Sequence, residues 1–108
     1  VPVSPHTDYE PIGIGIDPAA WLSNGDDPSN IVSRYANRLV SARLCDLLTT
    51  GMRGPVGQSD GRLDPLAYKV ALSVAGYERP VVVDARAWVD VWTGLEQTAR
   101  IWQVGEPA

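Results

Sequence analysis

PSNIVSRYANRLVSARLCDLLT, residues 28–49, carries apolar side chains at helical spacing over its whole length. Ile31, Val32, Tyr35, Ala36, Leu39, Val40, Ala42 and Leu47 fall on one broad face, and Arg34, Asn37, Arg38 and Ser41 fall opposite. Asp27-Pro28 stands at the head of the stretch and Gly51 just beyond its end. The spacing predicts one long helix from about Pro28 to Thr49, and a mainly α fold class follows from it.

The same punctuation recurs at Asp17-Pro18 and Asp64-Pro65. An aspartate can satisfy the orphan N–H groups of a helix start, and a proline at the first helical position has no N–H to lose. After Asp17-Pro18 the pattern gives one helical turn through Leu22, stopped by Asn24-Gly25. After Asp64-Pro65, Leu66, Val70 and Val74 lie at helical spacing, while Tyr68, Val70, Leu72 and Val74 also alternate as a strand. The terminal signals Asp64-Pro65 and Gly76 select helix over residues 66–75.

Two short runs have strand character. Ile12-Gly13-Ile14-Gly15-Ile16 alternates strictly, and Pro80-Val81-Val82-Val83 is β-rich, so Val81–Val83 pairing with Ile12–Ile16 is the expected sheet. From Asp84 the period changes again. Trp88, Val91, Trp92, Leu95, Ala99 and Trp102 recur as one helix face, with Arg86, Asp90, Thr93, Glu96, Gln97 and Arg100 opposite. This predicts a single helix from Asp84 to Gln103 with its three indoles hidden from water. Gly94 weakens the middle of that helix by about 1 kcal/mol relative to Ala. Residues 51–63, with four glycines and a proline, read as a loop.

The expected architecture is therefore mainly α, with a small α+β fold as the alternative. A proline-rich arm with one short strand spans residues 1–28. A single small helical domain spans residues 29–108, with three principal helices and at most two short strands in the chain. A chain of 108 residues, 44% hydrophobic, has material for one core.

Composition removes several function classes. No apolar run approaches the length that crosses a membrane. The net charge of −4 opposes non-specific binding to nucleic acid or to an anionic membrane. One cysteine, Cys45, excludes an internal disulfide framework and a cysteine-based zinc site. Placed beside Asp46, it reads as a buried structural thiol. His6 is the sole histidine, the acidic residues have no calcium-loop register, and no cofactor or small-molecule substrate is indicated. Gly57-Gln58-Ser59-Asp60-Gly61 matches the pattern of a nucleophile elbow, but no buried strand precedes it and no histidine follows. Gly13-Ile14-Gly15 is no dinucleotide fingerprint, because the third glycine would fall at Pro18.

Two strings resemble nuclease families. Val81-Val82-Val83-Asp84-Ala85-Arg86-Ala87-Trp88-Val89-Asp90 resembles the opening strand and helix of PIN-domain ribonucleases. Ile14-Gly15-Ile16-Asp17-Pro18 is similar to the strand-end aspartate of RNase-H-like resolvases. The resemblance implies two parallel strands presenting Asp17 and Asp84 side by side to Mg²⁺. The competing account is that each aspartate ends a strand and caps the next helix.

No convergent catalytic set emerges from the sequence. The expected role is a non-enzymatic structural or interaction subunit of a larger assembly, cytoplasmic or part of a virion. By composition and size it would suit a small structural protein of an actinobacterial virus or an accessory subunit. Protein partners or self-assembly are expected, and the partner-binding candidates are Trp88, Trp92 and Trp102 with the exposed pair Arg34 and Arg38. The alternatives are a Mg²⁺-dependent nuclease-like or phosphotransfer fragment using Asp17 and Asp84, and a small regulatory inhibitor or antitoxin with an acidic surface.

Overall fold

Three helices start where the Asp-Pro pairs place them: Pro18–Ser23 (α1), Pro28–Arg34 (α2) and Pro65–Val74 (α3), each with proline in its first turn. The computed structural model describes residues 13–103. Asp27 Oδ1 accepts from Ser29 N at 3.0 Å, and Asp64 Oδ1 accepts from Ala67 N at 3.0 Å. Asp17 makes no such side-chain cap, although its carbonyl accepts from Ala20 N and Trp21 N. α1 ends at Asn24-Gly25, where Gly25 takes φ +87°, a left-handed value open to glycine.

The mainly α expectation is overturned by residues 35–49. α2 stops at Arg34, a 3₁₀ turn covers Ala36–Arg38, and Leu39–Leu44 is a strand, β2. Two flanking strands lie parallel to it: Ile14–Ile16 (β1), paired Ile14 to Leu39 and Ile16 to Ala42, and a last strand at Val81–Val83, paired Ala42 to Val81 and Leu44 to Val83. Between them in sequence, Asp46–Leu47 (β3) and Arg53–Gly54 (β4) form a short antiparallel pair, so Val81–Val83 is β5. The result is a small α/β fold, with a three-stranded parallel sheet in the order β1-β2-β5 and a two-stranded hairpin. The expected pairing of β5 with β1 is corrected by the same strand, since β2 stands between them. A central strand takes backbone hydrogen bonds from two segments remote in sequence, and local helical periodicity carries no trace of them. Within β2 the inward side chains are Ala42 and Leu44, while Ser41 and Arg43 face out, a period of two.

The last helix is also shorter than expected. Val91–Gln103 (α4) is helical, but residues 84–90 form an irregular loop with Ala87 at φ +68°. Asp90, expected on the polar face of the helix, instead heads it: Asp90 Oδ1 accepts from Thr93 N at 3.2 Å. The buried face of α4 centres on Gly94 and Thr98, with Leu95, Ile101 and Trp102 beside them. This face is rotated from the expected tryptophan stripe and shares only Leu95 and Trp102 with it, because polar grips help to dock α4. Val56 N donates to Thr98 Oγ1 at 3.2 Å, and Gln97 Nε2 donates to Val56 O at 2.8 Å.

The main core lies on one side of the sheet, where Ile16, Ala42 and Leu44 meet Ile31 and Val32 of α2 and Tyr68 and Leu72 of α3. A second cluster joins Ala19, Cys45, Leu47 and Trp88 near the carboxyl ends of the strands. The segment read as a glycine-rich loop is tied down by Asp46, whose Oδ1 accepts from Leu47 N, Arg62 N and Leu63 N at 2.7, 2.9 and 2.8 Å. Burial raises this carboxyl's pKa, and the three N–H donors only partly offset that.

Candidate functional site

In an open parallel sheet the carboxyl ends of the strands are where side chains converge, because each strand hands over to a loop there. Asp17 follows β1, Cys45 follows β2 and Asp84 follows β5. Arg53 on β4 reaches across the first and the last of these. Its Nη1 and Nη2 donate to Asp17 Oδ1 and Oδ2 at 3.0 and 2.8 Å, and its Nη1 lies 3.7 Å from Asp84 Oδ2. Asp84 is the hub: its side chain is 4% exposed, and it accepts from Arg86 Nη2 at 2.6 Å, Arg86 Nε at 2.8 Å and Arg43 Nη1 at 3.1 Å.

These contacts set the protonation states. The Arg86 hydrogen bonds hold the Asp84 carboxyl well below the usual carboxylate range, against the opposing effect of burial. Burial pushes Asp17 up, but the paired bonds and charge of Arg53 outweigh it and leave Asp17 lowered. Burial raises the Cys45 thiol, although the Trp88 indole and Arg53 act on it in the other direction. The sulfur is fully buried and donates to Asp46 O and, more weakly, to Gly54 O. The burial is as expected from the sequence, but the thiol sits at a strand end and not in mid-helix. Trp88 Nε1 is buried without a nitrogen or oxygen partner among the described residues.

The two aspartates of the nuclease resemblance are thus brought together by parallel strands, and neither caps a following helix with its side chain. A guanidinium stands between them. Among the described residues, no group of three or more His, Cys, Asp or Glu side chains could hold a metal ion. Ser59 lies in a turn of an exposed loop, separated from β4 by residues 55–58.

The partner-binding candidates separate. Trp88 is buried in the second cluster, ahead of the helix that was expected to carry it. Trp102 is half-buried, tilted at 56° to Tyr68 with ring centroids 5.9 Å apart, and Lys69 Nζ lies 5.3 Å from its ring centroid. Lys69 also donates to Trp102 O, latching α3 to α4. Trp92 alone of the three faces water, 80% exposed, so the expected single indole-lined core face is corrected. Arg34 closes α2 and Arg38 lies in the 3₁₀ turn beyond Tyr35, so the two no longer share one helix face.

The outer side of α3 carries the helical period of Leu66, Val70 and Val74, and that side is the exposed one. Tyr68 and Leu72 face the core, yet Leu66, Val70 and Val74, one turn apart in sequence, are 57%, 52% and 82% exposed. Val89 and Met52 add exposed apolar surface, and both line a depression of about 300 Å³ together with Trp88 and Gly94. No helix among the described residues is long and apolar enough to cross a membrane.

Compared with protein-family models, with curated proteins and with solved structures, the chain matches none.

Proposed function

We propose that this chain is a non-enzymatic structural or interaction subunit of a larger assembly, in the class of a small virion structural protein or an accessory subunit. One observation carries the reading: α3 is apolar on two opposite sides, and the one away from the core is exposed. A surface helix ordinarily pairs an apolar stripe with a polar one, and a helix apolar all round belongs in an interior. The stripe Leu66-Val70-Val74 supplies contiguous exposed apolar surface of the kind that protein-binding sites present. Exposed Trp92 adds a residue type favoured at interface hot spots.

Size-exclusion chromatography with light scattering over a wide concentration range tests this, with Val70→Glu and Val74→Glu beside the parent chain. Association, with itself or with a co-purified subunit, is expected, and both variants should abolish it while keeping the far-UV circular dichroism. A compact monomer that binds nothing, unchanged by either substitution, would remove the reading.

A second reading is favoured by the convergence of Asp17 and Asp84. In a Mg²⁺-dependent phosphoryl-transfer reading, the cation would take the place between those carboxylates that Arg53 holds. Metal-dependent cleavage of RNA or DNA, lost in Asp84→Asn with the fold intact, would establish it. Inactivity of the parent chain with Mg²⁺ and with Mn²⁺ would dismiss it.

A further inference from the structure

Parallel sheets are ordinarily covered on both faces. Here one face is open among the described residues: Gly15 on β1, Ser41 and Arg43 on β2 and Val82 on β5 are all exposed. Two depressions of about 350 and 450 Å³ lie on this face, and Ser41, Arg43 and Arg86 line both.

We infer that Ser41, Arg43 and Arg86 form a binding site for a phosphate group on the open face of the sheet. The charge balance supplies the first reason. Three guanidiniums, of Arg43, Arg53 and Arg86, meet two carboxylates, of Asp17 and Asp84, and so leave one positive charge over. Arg53 is bonded by both oxygens of Asp17, so the surplus sits on Arg43 and Arg86, whose side chains are the exposed members of the cluster. Such a patch runs against the charge of the chain as a whole, which is −4.

Preorganisation is the second reason. Asp84 grips both guanidiniums from the protein side, through Arg43 Nη1 and through Arg86 Nε and Nη2. Their remaining N–H groups bond to no described residue and can donate outward, and the side-chain entropy of holding them is already spent. Ser41 adds a hydroxyl that bonds to no described residue. A β-carbon at Gly15 would stand 2.6 Å from Ser41 Oγ, so the glycine keeps that hydroxyl's side of the groove open. Asp17 also lines the smaller depression, but its oxygens are turned to Arg53. Three donor groups match the three terminal oxygens of a phosphate group, whereas a carboxylate offers two.

The inference is independent of the assembly role. The test is titration of ¹⁵N-labelled protein with inorganic phosphate and, separately, with adenosine 5′-monophosphate, each at ionic strength matched with chloride. Saturable amide shifts at Ser41, Arg43 and Arg86 are expected. Arg86→Gln should weaken binding by about tenfold or more, the scale of a lost charge-assisted hydrogen bond. Ser41→Ala, a surface change that leaves the ion cluster whole, should weaken it by a smaller factor. Tighter binding of the nucleotide points to a phosphomonoester ligand, and equal binding to free phosphate. Shifts no larger than chloride produces, or saturation unchanged in both variants, would overturn the site.

Discussion

The indole of Trp88 lies against the bare backbone of Gly94: a β-carbon at that glycine would stand 2.8 Å from Trp88 Cε3 and 3.0 Å from Cζ3. A residue that weakens α4 as a helix former is what allows the loop before it to bury its tryptophan. Pro55 Cβ, at 3.2 Å from the same point, closes the other side. Gly94→Ala should therefore destabilise the protein by about 1–3 kcal/mol, the cost of overpacking, despite the roughly 1 kcal/mol that alanine gains in helix propensity. Urea denaturation measures it. A stabilised Gly94→Ala would mean that the indole does not pack there.

Ala87 has the sole positive φ of a non-glycine residue among those described, +68°. The left-handed conformation costs an L-residue roughly 1–2 kcal/mol, while glycine loses about 0.5–1 kcal/mol in unfolded-state entropy. Ala87→Gly should raise stability by up to about 1 kcal/mol, read as an increase in the urea midpoint at unchanged slope.

Asp46 offers a sharper contrast. Replacing it with alanine strands three inward N–H groups at once, and a loss of about 3 kcal/mol or more is expected. Asp46→Asn keeps an acceptor oxygen for them and should cost much less. The sign of its pH dependence follows from burial, which raises the folded pKa. The carboxyl's contribution is fully present below the unfolded value and declines as pH rises through the folded one. Asp46→Asn should then look relatively better at pH 7 than at pH 4 in parallel melts.

Asp84 behaves in the opposite sense. Its folded pKa is lowered, so its stabilisation is whole above the unfolded value near 4 and drains away as pH falls toward the folded value. The stability gap between the parent chain and Asp84→Asn should be flat from about pH 7 to 5 and shrink below about pH 4. A gap that widens on acidification would contradict the guanidinium cluster.

Trp92 should account for most of the quencher-accessible fluorescence, since Trp88 is buried and Trp21 and Trp102 are half-buried. Trp92→Phe is expected to leave emission that iodide quenches weakly. Strong residual quenching would place another indole at the surface.

What could be read from residue order alone was whatever closes within a few residues. Asp27 and Asp64 reach N–H groups two and three positions on, and proline removes its own, so the starts of α2 and α3 were legible. The Asn24-Gly25 stop belongs to the same class, whereas the strand at Val81–Val83 showed only as a β-rich run whose partner, β2, is remote in sequence. Asp90 sent the same kind of signal, three residues before Thr93, but the stronger apolar period running through Trp88 and Trp92 masked it. Residues 1–12 of the N-terminal arm, Ile12 of the expected strand among them, lie outside the described residues.

Folding in three dimensions settled the remainder. Leu39–Leu44 suits a helix by its spacing and became a strand because β1 and β5 supply hydrogen bonds along both its edges. The inner side of α4 was chosen by the backbone of Val56 and the space above Gly94, neither of which has a periodic signature. Asp17, Arg53 and Asp84 met for the same reason. Parallel strands bring distant carboxyl ends to one rim, and buried charges that gather there must pair, so an arrangement invisible in any local window became the electrostatic centre of the molecule.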